Sequence, residues 1–346
     1  MKLVSYKKGD KEQSALLIRD LLYDTDRLCK NGPATMQQLL QHWDRWYPLL
    51  LEEEVLINSG QQKRAGKPLS EVELLAPVPH PPSCRDGYAF RQHVATARRN
   101  RGVEMIPEFD QYPVLYFTNH QGIVGPGPVA CMPDHFEQLD FELEAAIVIC
   151  RTGRNIRAEE AGDYIGGLMI MNDLSARRLQ REEMLLNLGP AKGKDFATAL
   201  GPWLVTRNEL APFETAPTGH AGTNWNLKMT CCINGIQVSE GNLGDMDWSF
   251  AELVERASYG ATLFPGDVIG SGTVGTGCFL ELNGSARLQN PTHQDQWLRE
   301  GDRVELEIEA LGKLSNTIVR EQGDWSILQR KKGTAAPAVS KKASEN

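Results

Sequence analysis

The residues best suited to chemistry in this chain are carboxylates. Two of them stand two apart in Asp140-Phe141-Glu142-Leu143-Glu144, which continues as Ala145-Ala146-Ile147-Val148-Ile149-Cys150. Read as a strand, the segment puts Glu142 and Glu144 on one face and Phe141, Leu143, Ala145, Ile147 and Ile149 on the other. The Glu face then turns apolar through Ala146, Val148 and Cys150. Two carboxylates therefore sit at one end of a strand that is apolar on both sides, and burying unpaired carboxylates is strongly unfavourable. A shared cation removes that penalty, so the pattern points to a metal site. A second alternation is the control. In Arg303-Val304-Glu305-Leu306-Glu307-Ile308-Glu309 the Glu face is charged along its whole length, which predicts a half-solvated antiparallel strand and no site.

Other reactive side chains are dispersed. A helix beginning near Arg85 would set Asp86 and His93 seven positions apart on one face, about 10 Å along the axis. That spacing suits one pocket or an incidental surface pair. Asp173 closes the apolar run Ile165 to Asn172, as a strand-end site residue or a plain cap of the helix predicted from Ser175 to Met184. Lys192 and Lys194 lie in a Gly-containing loop, 188–198, that lacks the phosphate-binding P-loop spacing. Glu281, between Leu280 and Leu282, is a further candidate buried carboxylate. His42 and His120 have no context that singles them out. Gly270-Ser271-Gly272-Thr273-Val274-Gly275 matches G-x-G-x-x-G. We read it as a close backbone approach or tight turn, because Cys278 to Leu282 reads as a strand and not as the helix a dinucleotide needs.

These residues need elements to hold them. Residues 1–75 read as a small N-terminal domain: an edge strand over Met1 to Tyr6, an amphipathic helix over Glu12 to Cys29, and a second helical stretch from Pro33 to about Asn58. A Pro-rich spacer, Ala76 to Pro82, leads into a domain over 76–330, mainly strand and turn after about 200, with a capping box at Ser249 to Glu252. A polar tail, 331–346, is expected to be disordered. Net charge is −8 and the pI is near 5.5, which argues against nucleic acid as the main partner. No apolar run approaches the ~20 residues of a membrane span, and the N-terminus lacks the apolar core of a signal peptide. Seven cysteines with no C-x-x-C pair suit a reduced, cytoplasmic protein without a zinc ribbon. The adjacent Cys231 and Cys232 read as core packing.

Taken together, Arg85-Asp86 with Arg91-Gln92-His93, Asp140 to Glu144, Met171-Asn172-Asp173-Leu174-Ser175-Ala176-Arg177, Leu188-Gly189-Pro190 through Gly193-Lys194, and Gly270-Ser271-Gly272-Thr273 resemble the fumarylacetoacetate hydrolase family, from about Val72 to Ile318. The resemblance implies an α+β, mostly β fold, a mixed-sheet β roll with a small N-terminal domain, assembled as a homodimer. It implies Mg2+ or Ca2+, with Mn2+ also accepted, held by Asp86, Glu142, Glu144 and Asp173, with Lys194 and Thr198 flanking. Hard oxygen ligands suit these ions. It further implies His93 as general base, Glu281 as its orienting partner, Arg177, Gln180 and Lys194 as donors to a developing oxyanion, and Tyr88, Gln180 and Thr273 as substrate contacts.

The implied activity is hydrolysis of a carbon–carbon bond in a diketo acid, with fumarylacetoacetate the leading candidate and an acylpyruvate close behind. The sequence departs from the family at Leu174, where a Trp is usual, at Gly102, where a substrate-binding Arg falls and Arg99 and Arg101 are only near, and in Arg181 to Leu185, which lacks a substrate-contacting Tyr. Those departures bear on the substrate and leave the metal chemistry intact. The alternatives are decarboxylation or isomerisation of a 2-keto acid on the same metal site, and a non-catalytic binding protein on the same fold. A nucleotide-dependent oxidoreductase rests only on the glycine match.

Overall fold

The computed structural model describes residues 1–323, 325–330 and 332; apart from position 332, the predicted tail lies outside the described residues. Sixteen strands build two large sheets. They are β1 (Lys2–Lys8), β2 (Lys11–Ile18), β3 (Leu21–Asp24), β4 (Lys67–Pro68), β5 (Cys84–Gly87), β6 (Leu115–Thr118), β7 (Ile123–Val124) and β8 (Gly127–Cys131), then β9 (Leu143–Ile149), β10 (Ile165–Asp173), β11 (Thr198–Thr206), β12 (Lys228–Ile233), β13 (Ile236–Asn242), β14 (Val268–Gly270), β15 (Arg303–Ile308) and β16 (Gly312–Arg320). The first sheet runs β4-β3-β2-β1-β11-β10-β9-β14-β5-β6, with β7 beside β11. The second runs β13-β12-β15-β16-β8. Pairing is antiparallel except at β14–β5, β11–β7 and β16–β8, so both sheets are mixed and neither closes. The fold is α+β and mostly sheet.

The central strand β9 explains the layering. Leu143, Ala145, Ile147 and Ile149 enter one core, with Met229 and Cys231 of β12 and Leu306 and Ile308 of β15. Ala146, Val148 and Cys150 enter a second core, covered by helices α1 (Met36–Gln41) and α2 (Trp43–Asn58) through Leu39, Leu40, Trp43, Trp46 and Leu50. Helices, first sheet and second sheet are thus stacked layers, and period-two alternation in one strand feeds both interfaces.

Four local expectations change. Residues 12–29 form the hairpin β2–β3 and a single helical turn, not a helix. Leu16, Leu17, Leu21 and Leu22 suit either period, but Arg19 adopts φ 55 and turns the chain after Ile18, the positive φ of a tight hairpin turn. Strand β1 is no edge: it lies between β2 and β11, so the N-terminal segment extends the central sheet. Asp86 belongs to β5, and His93 to helix α3 (Arg91–Arg99), so they do not share a helix face. The helices α4 (Arg177–Met184) and α5 (Phe250–Ser258) form as the sequence predicts, the latter with its Ser249 capping box. Cys278 to Leu282 is not a strand but the start of helix α6 (Phe279–Gln289). No helix among the described residues is long and apolar enough to cross a membrane.

Candidate active site

Parallel pairing of β5 with β14 sets Asp86 opposite Gly270. Asp86 Oδ1 accepts from the backbone N–H of Gly87 at 2.9 Å and of Gly272 at 3.1 Å. A Cβ at Gly270 would stand 2.4 Å from that oxygen, and Gly272 adopts φ +79. The glycine run is therefore a backbone cradle for Asp86. A helix does follow it, so the strand argument against a dinucleotide fails. The conclusion stands for another reason. The carboxylate of Asp140 accepts from Phe279 N at 2.7 Å and Leu280 N at 3.0 Å, filling the helix N-terminus where a pyrophosphate would sit.

Glu142 precedes β9 and Glu144 lies within it; both are buried. Carboxylate oxygens of Asp86, Glu142 and Glu144 come within 4.8 Å of one another. Asp173 closes β10 beside this group, opposite Thr198 of β11. It accepts from Lys194 Nζ at 2.8 Å, from Thr198 Oγ1 at 3.4 Å and from the Tyr116 hydroxyl. Lys194, on the one-turn helix Ala191–Lys194, also pairs with Glu142 Oε2. Arg177 opens α4, donating to Asp140 Oδ2 and Glu142 Oε1, each at 2.8 Å, and to Gln180 Oε1 at 3.0 Å.

The electrostatics divide the acids. Burial pushes Glu142 up, but the ammonium of Lys194 and the guanidinium of Arg177 override it and hold the carboxyl at about 2. Burial, then the neighbouring Asp173, raises Asp86 to about 7. Burial and then Asp86 raise Glu144 well above the usual range. Asp173 is raised by burial against the pull of Lys194. Lys194, raised by Asp173 and Glu142 although burial lowers it, stays an ammonium and neutralises rather than ligates. Glu144 Oε2 has no hydrogen-bond partner, while Glu144 Oε1 accepts from Thr273 at 3.3 Å. A clustered, under-neutralised set of carboxylates with one orphan oxygen fits a hard dication.

A second buried group adjoins the acids. His93 Nδ1 lies 2.6 Å from Glu281 Oε2, and Glu281 Oε1 accepts from Thr276 N at 3.0 Å. Thr276 holds φ +69, an unusual backbone for a β-branched residue, and its hydroxyl donates to Glu240 O. The Tyr88 ring stands edge-on to His93 at 5.8 Å. A cavity of about 290 Å³ opens beside Tyr88, with Arg98 and Arg101 on apolar walls that include Val94, Ile106 and Phe109. Arg98 and Arg101 bring two cations to the wall of this cavity. His42 and His120 are exposed.

The structure brings Asp86, Glu142, Glu144, Asp173, Lys194 and Thr198 into one group, with His93 and Glu281 beside it. Sequence reasoning gave no role to Asp140, Tyr116 or Thr276. Asp140 stands within the acidic run and alternates with Glu142 and Glu144, a signal that was available. Tyr116 pairs across from Asp86, and Thr276 acts through its backbone, neither of which side-chain pattern reveals.

Comparison with known proteins shows the family. Residues 83–319 match the profile of the fumarylacetoacetate (FAA) hydrolase C-terminal family. The oxaloacetate tautomerase YisK of Bacillus subtilis (strain 168) is 32% identical over 258 residues, 72% of this chain and 74% of that protein. The human mitochondrial oxaloacetate tautomerase FAHD2A is 32% identical over 300 residues, 83% of this chain and 80% of its own. Among solved structures, fumarylacetoacetate hydrolase from Exiguobacterium antarcticum superposes with a TM-score of 0.67 at 23% identity, over 93% of this chain and all of that one. Maleylpyruvate hydrolase from Sphingobium sp. SYK-6, in complex with manganese(II) and pyruvate, superposes at 0.65 and 21% identity, over 93% of this chain and 100% of that one. The last two likenesses concern the fold.

Proposed function

This chain belongs to the fumarylacetoacetate hydrolase family, and on that premise we propose that it is a divalent-metal-dependent enzyme that moves a proton on a 2-oxo acid carrying a second carbonyl. The observation that carries the reading is the buried His93–Glu281 pair, at 2.6 Å, beside the acidic cluster. Glu281 holds the Nδ1–H of His93, which leaves Nε2 as the proton acceptor. Thr276 N–H holds the other oxygen of Glu281 and fixes the pair.

Asp86, Glu142 and Glu144 would hold the dication, Mg2+, Mn2+ or Ca2+, with Asp173 beside them. That ion supplies positive charge against the negative charge that develops on substrate oxygens. Lys194 and Arg177 keep Glu142 ionised. Arg177 Nη1 donates to Gln180 Oε1, so the amide NH2 is the group that Gln180 would offer to a substrate oxygen. Tyr88 lines the cavity with Arg98 and Arg101, which suit a distal carboxylate, and Thr273, on Glu144 Oε1, would meet the substrate at the acids.

Two reactions use this machinery. Keto–enol tautomerisation of a small 2-oxo dicarboxylate such as oxaloacetate is favoured by the two relatives at 32% identity. In it, His93 Nε2 takes the enol proton and returns a proton to carbon. Hydrolytic cleavage of a diketo acid such as fumarylacetoacetate is favoured by the dyad, since Nε2 with an orienting carboxylate is suited to take a proton from water. A cytoplasmic homodimer belongs to the same reading.

Purified protein with Mg2+ or Mn2+ is to be assayed for loss of the enol absorbance of oxaloacetate and, separately, for cleavage of fumarylacetoacetate and acylpyruvates. Activity on either that vanishes in His93→Ala supports the reading. Inactivity on both, or release of carbon dioxide alone, contradicts it.

A further inference from the structure

Cys278 lies against the dyad. One ligand atom each from His93, Cys278 and Glu281 falls within 4.8 Å of the others, and all three residues are buried. The thiol is free, while the His93 side chain keeps 9% of its surface accessible. The donor set is one sulfur, one nitrogen and one oxygen. It differs in kind from the all-oxygen group of Asp86, Glu142 and Glu144. Among the described residues, no other group of potential metal ligands contains a cysteine or a histidine.

We propose that His93, Cys278 and Glu281 form a second metal site, selective for a thiophilic dication such as Zn2+, through which that ion switches the dyad off. Thiolate and imidazole select zinc over magnesium or calcium. Tetrahedral zinc, with bonds of about 2.0 Å to nitrogen and 2.3 Å to sulfur, separates its ligands by about 3.5 Å, so the three atoms close on an ion with shifts on the order of 1 Å. The Nδ1···Oε2 contact opens as the ion takes the place of the proton between them.

The protons balance. Cys278 releases its thiol proton to solvent as the metal–sulfur bond forms. The proton on His93 Nδ1 is displaced, and the ring keeps one proton by taking it at Nε2. Binding thus protonates the atom that the proposed function uses as a base. The inhibition rests on that reading; the metal site itself does not.

The test uses full-length protein with the hard site saturated by Mg2+. Co2+ is titrated while the thiolate-to-cobalt absorption in the near ultraviolet is recorded. Zn2+ inhibition is then measured at the same Mg2+ concentration. The expected result is a band that saturates at one Co2+ per chain, is competed by Zn2+, and is absent in Cys278→Ser and Cys278→Ala. Both variants should keep the uninhibited rate and need at least tenfold more Zn2+ for half-inhibition. Absence of the band from the wild type, or its persistence in both variants, overturns the site. A band that depends on Cys278 but leaves the rate unchanged under Zn2+ keeps the site and overturns the role of His93 as base.

Discussion

Glu142 and Glu144 enter β9 with a core on each side, whereas Glu305, Glu307 and Glu309 follow β15 with one face open. On β15 the apolar residues Val304, Leu306 and Ile308 are buried, and the glutamates meet Arg303 and Lys313 at the surface. Glu307 retains 57% of its side-chain surface. Exposed pairs of that kind contribute about 0–1 kcal/mol. On β9 the same alternation places carboxylates where water cannot solvate them, with Lys194 and Arg177 as buried counter-charges. Spacing is identical in the two strands. What separates them is the residues that continue the Glu face: Ala146, Val148 and Cys150 in one case, Glu309 in the other.

The largest contrast should come from substituting one glutamate in each strand. Glu142→Gln deprives two buried cations of a partner, so it should destabilise the fold by about 3 kcal/mol and abolish turnover and dication binding; urea denaturation and calorimetric titration read these. Equal stability of wild type and Glu142→Gln would erase the distinction. His93→Ala comes next. Loss of a general base lowers kcat by about 10²–10⁴, with Mn2+ affinity unchanged because His93 is not among the acids that would hold the ion. A parallel loss of affinity would merge the two buried groups.

The pH response sharpens the comparison on the acid side. Burial raises Asp86 to about 7 from an ordinary 3.8. Its folded form therefore prefers the proton, and metal-free stability is present below pH 3.8 and is lost as pH rises through about 7. A dication competes with that proton, so its affinity should rise from pH 6 to 8, and saturation at 100 times Kd adds about 2.7 kcal/mol. Thermal melts with chelator and with Mg2+ at several pH values check both signs. A metal-free melting temperature that climbs between pH 4 and 7 would contradict the assignment.

Glu281→Gln exchanges the carboxylate beside His93 Nδ1 for an amide. It should lower kcat by about tenfold and shift the pH profile while leaving Mg2+ binding at the acidic cluster intact, as for a weakened hydrogen bond of ~1–2 kcal/mol. The smallest effect belongs to the open strand: Glu307→Gln should change stability by less than about 0.5 kcal/mol and activity not at all.

The contrast also marks how far the residues alone reach. The two-faced burial of β9 was legible because Phe141 to Cys150 carries it in consecutive side chains. Residues 12–29 were misread because four leucines satisfy both the helix and hairpin periods, and the deciding feature is the φ of Arg19. Cys278 to Leu282 looked like a strand by its apolar content. It becomes a helix because Asp140, 139 residues away, accepts from its first N–H groups. Asp86 and His93 met in the right place by the wrong route, through β5 and α3 rather than one helix. The convergence of dispersed acids became legible only through the ordered motifs of a family, since long-range pairing such as β14 with β5 leaves no local pattern.

Diffraction from crystals soaked in Mn2+, with an anomalous difference map, tests the central claim most directly. The account expects one strong peak per chain among the carboxylates of Asp86, Glu142 and Glu144, absent from Glu144→Gln crystals. A peak elsewhere, or one that survives that substitution in place, would contradict it.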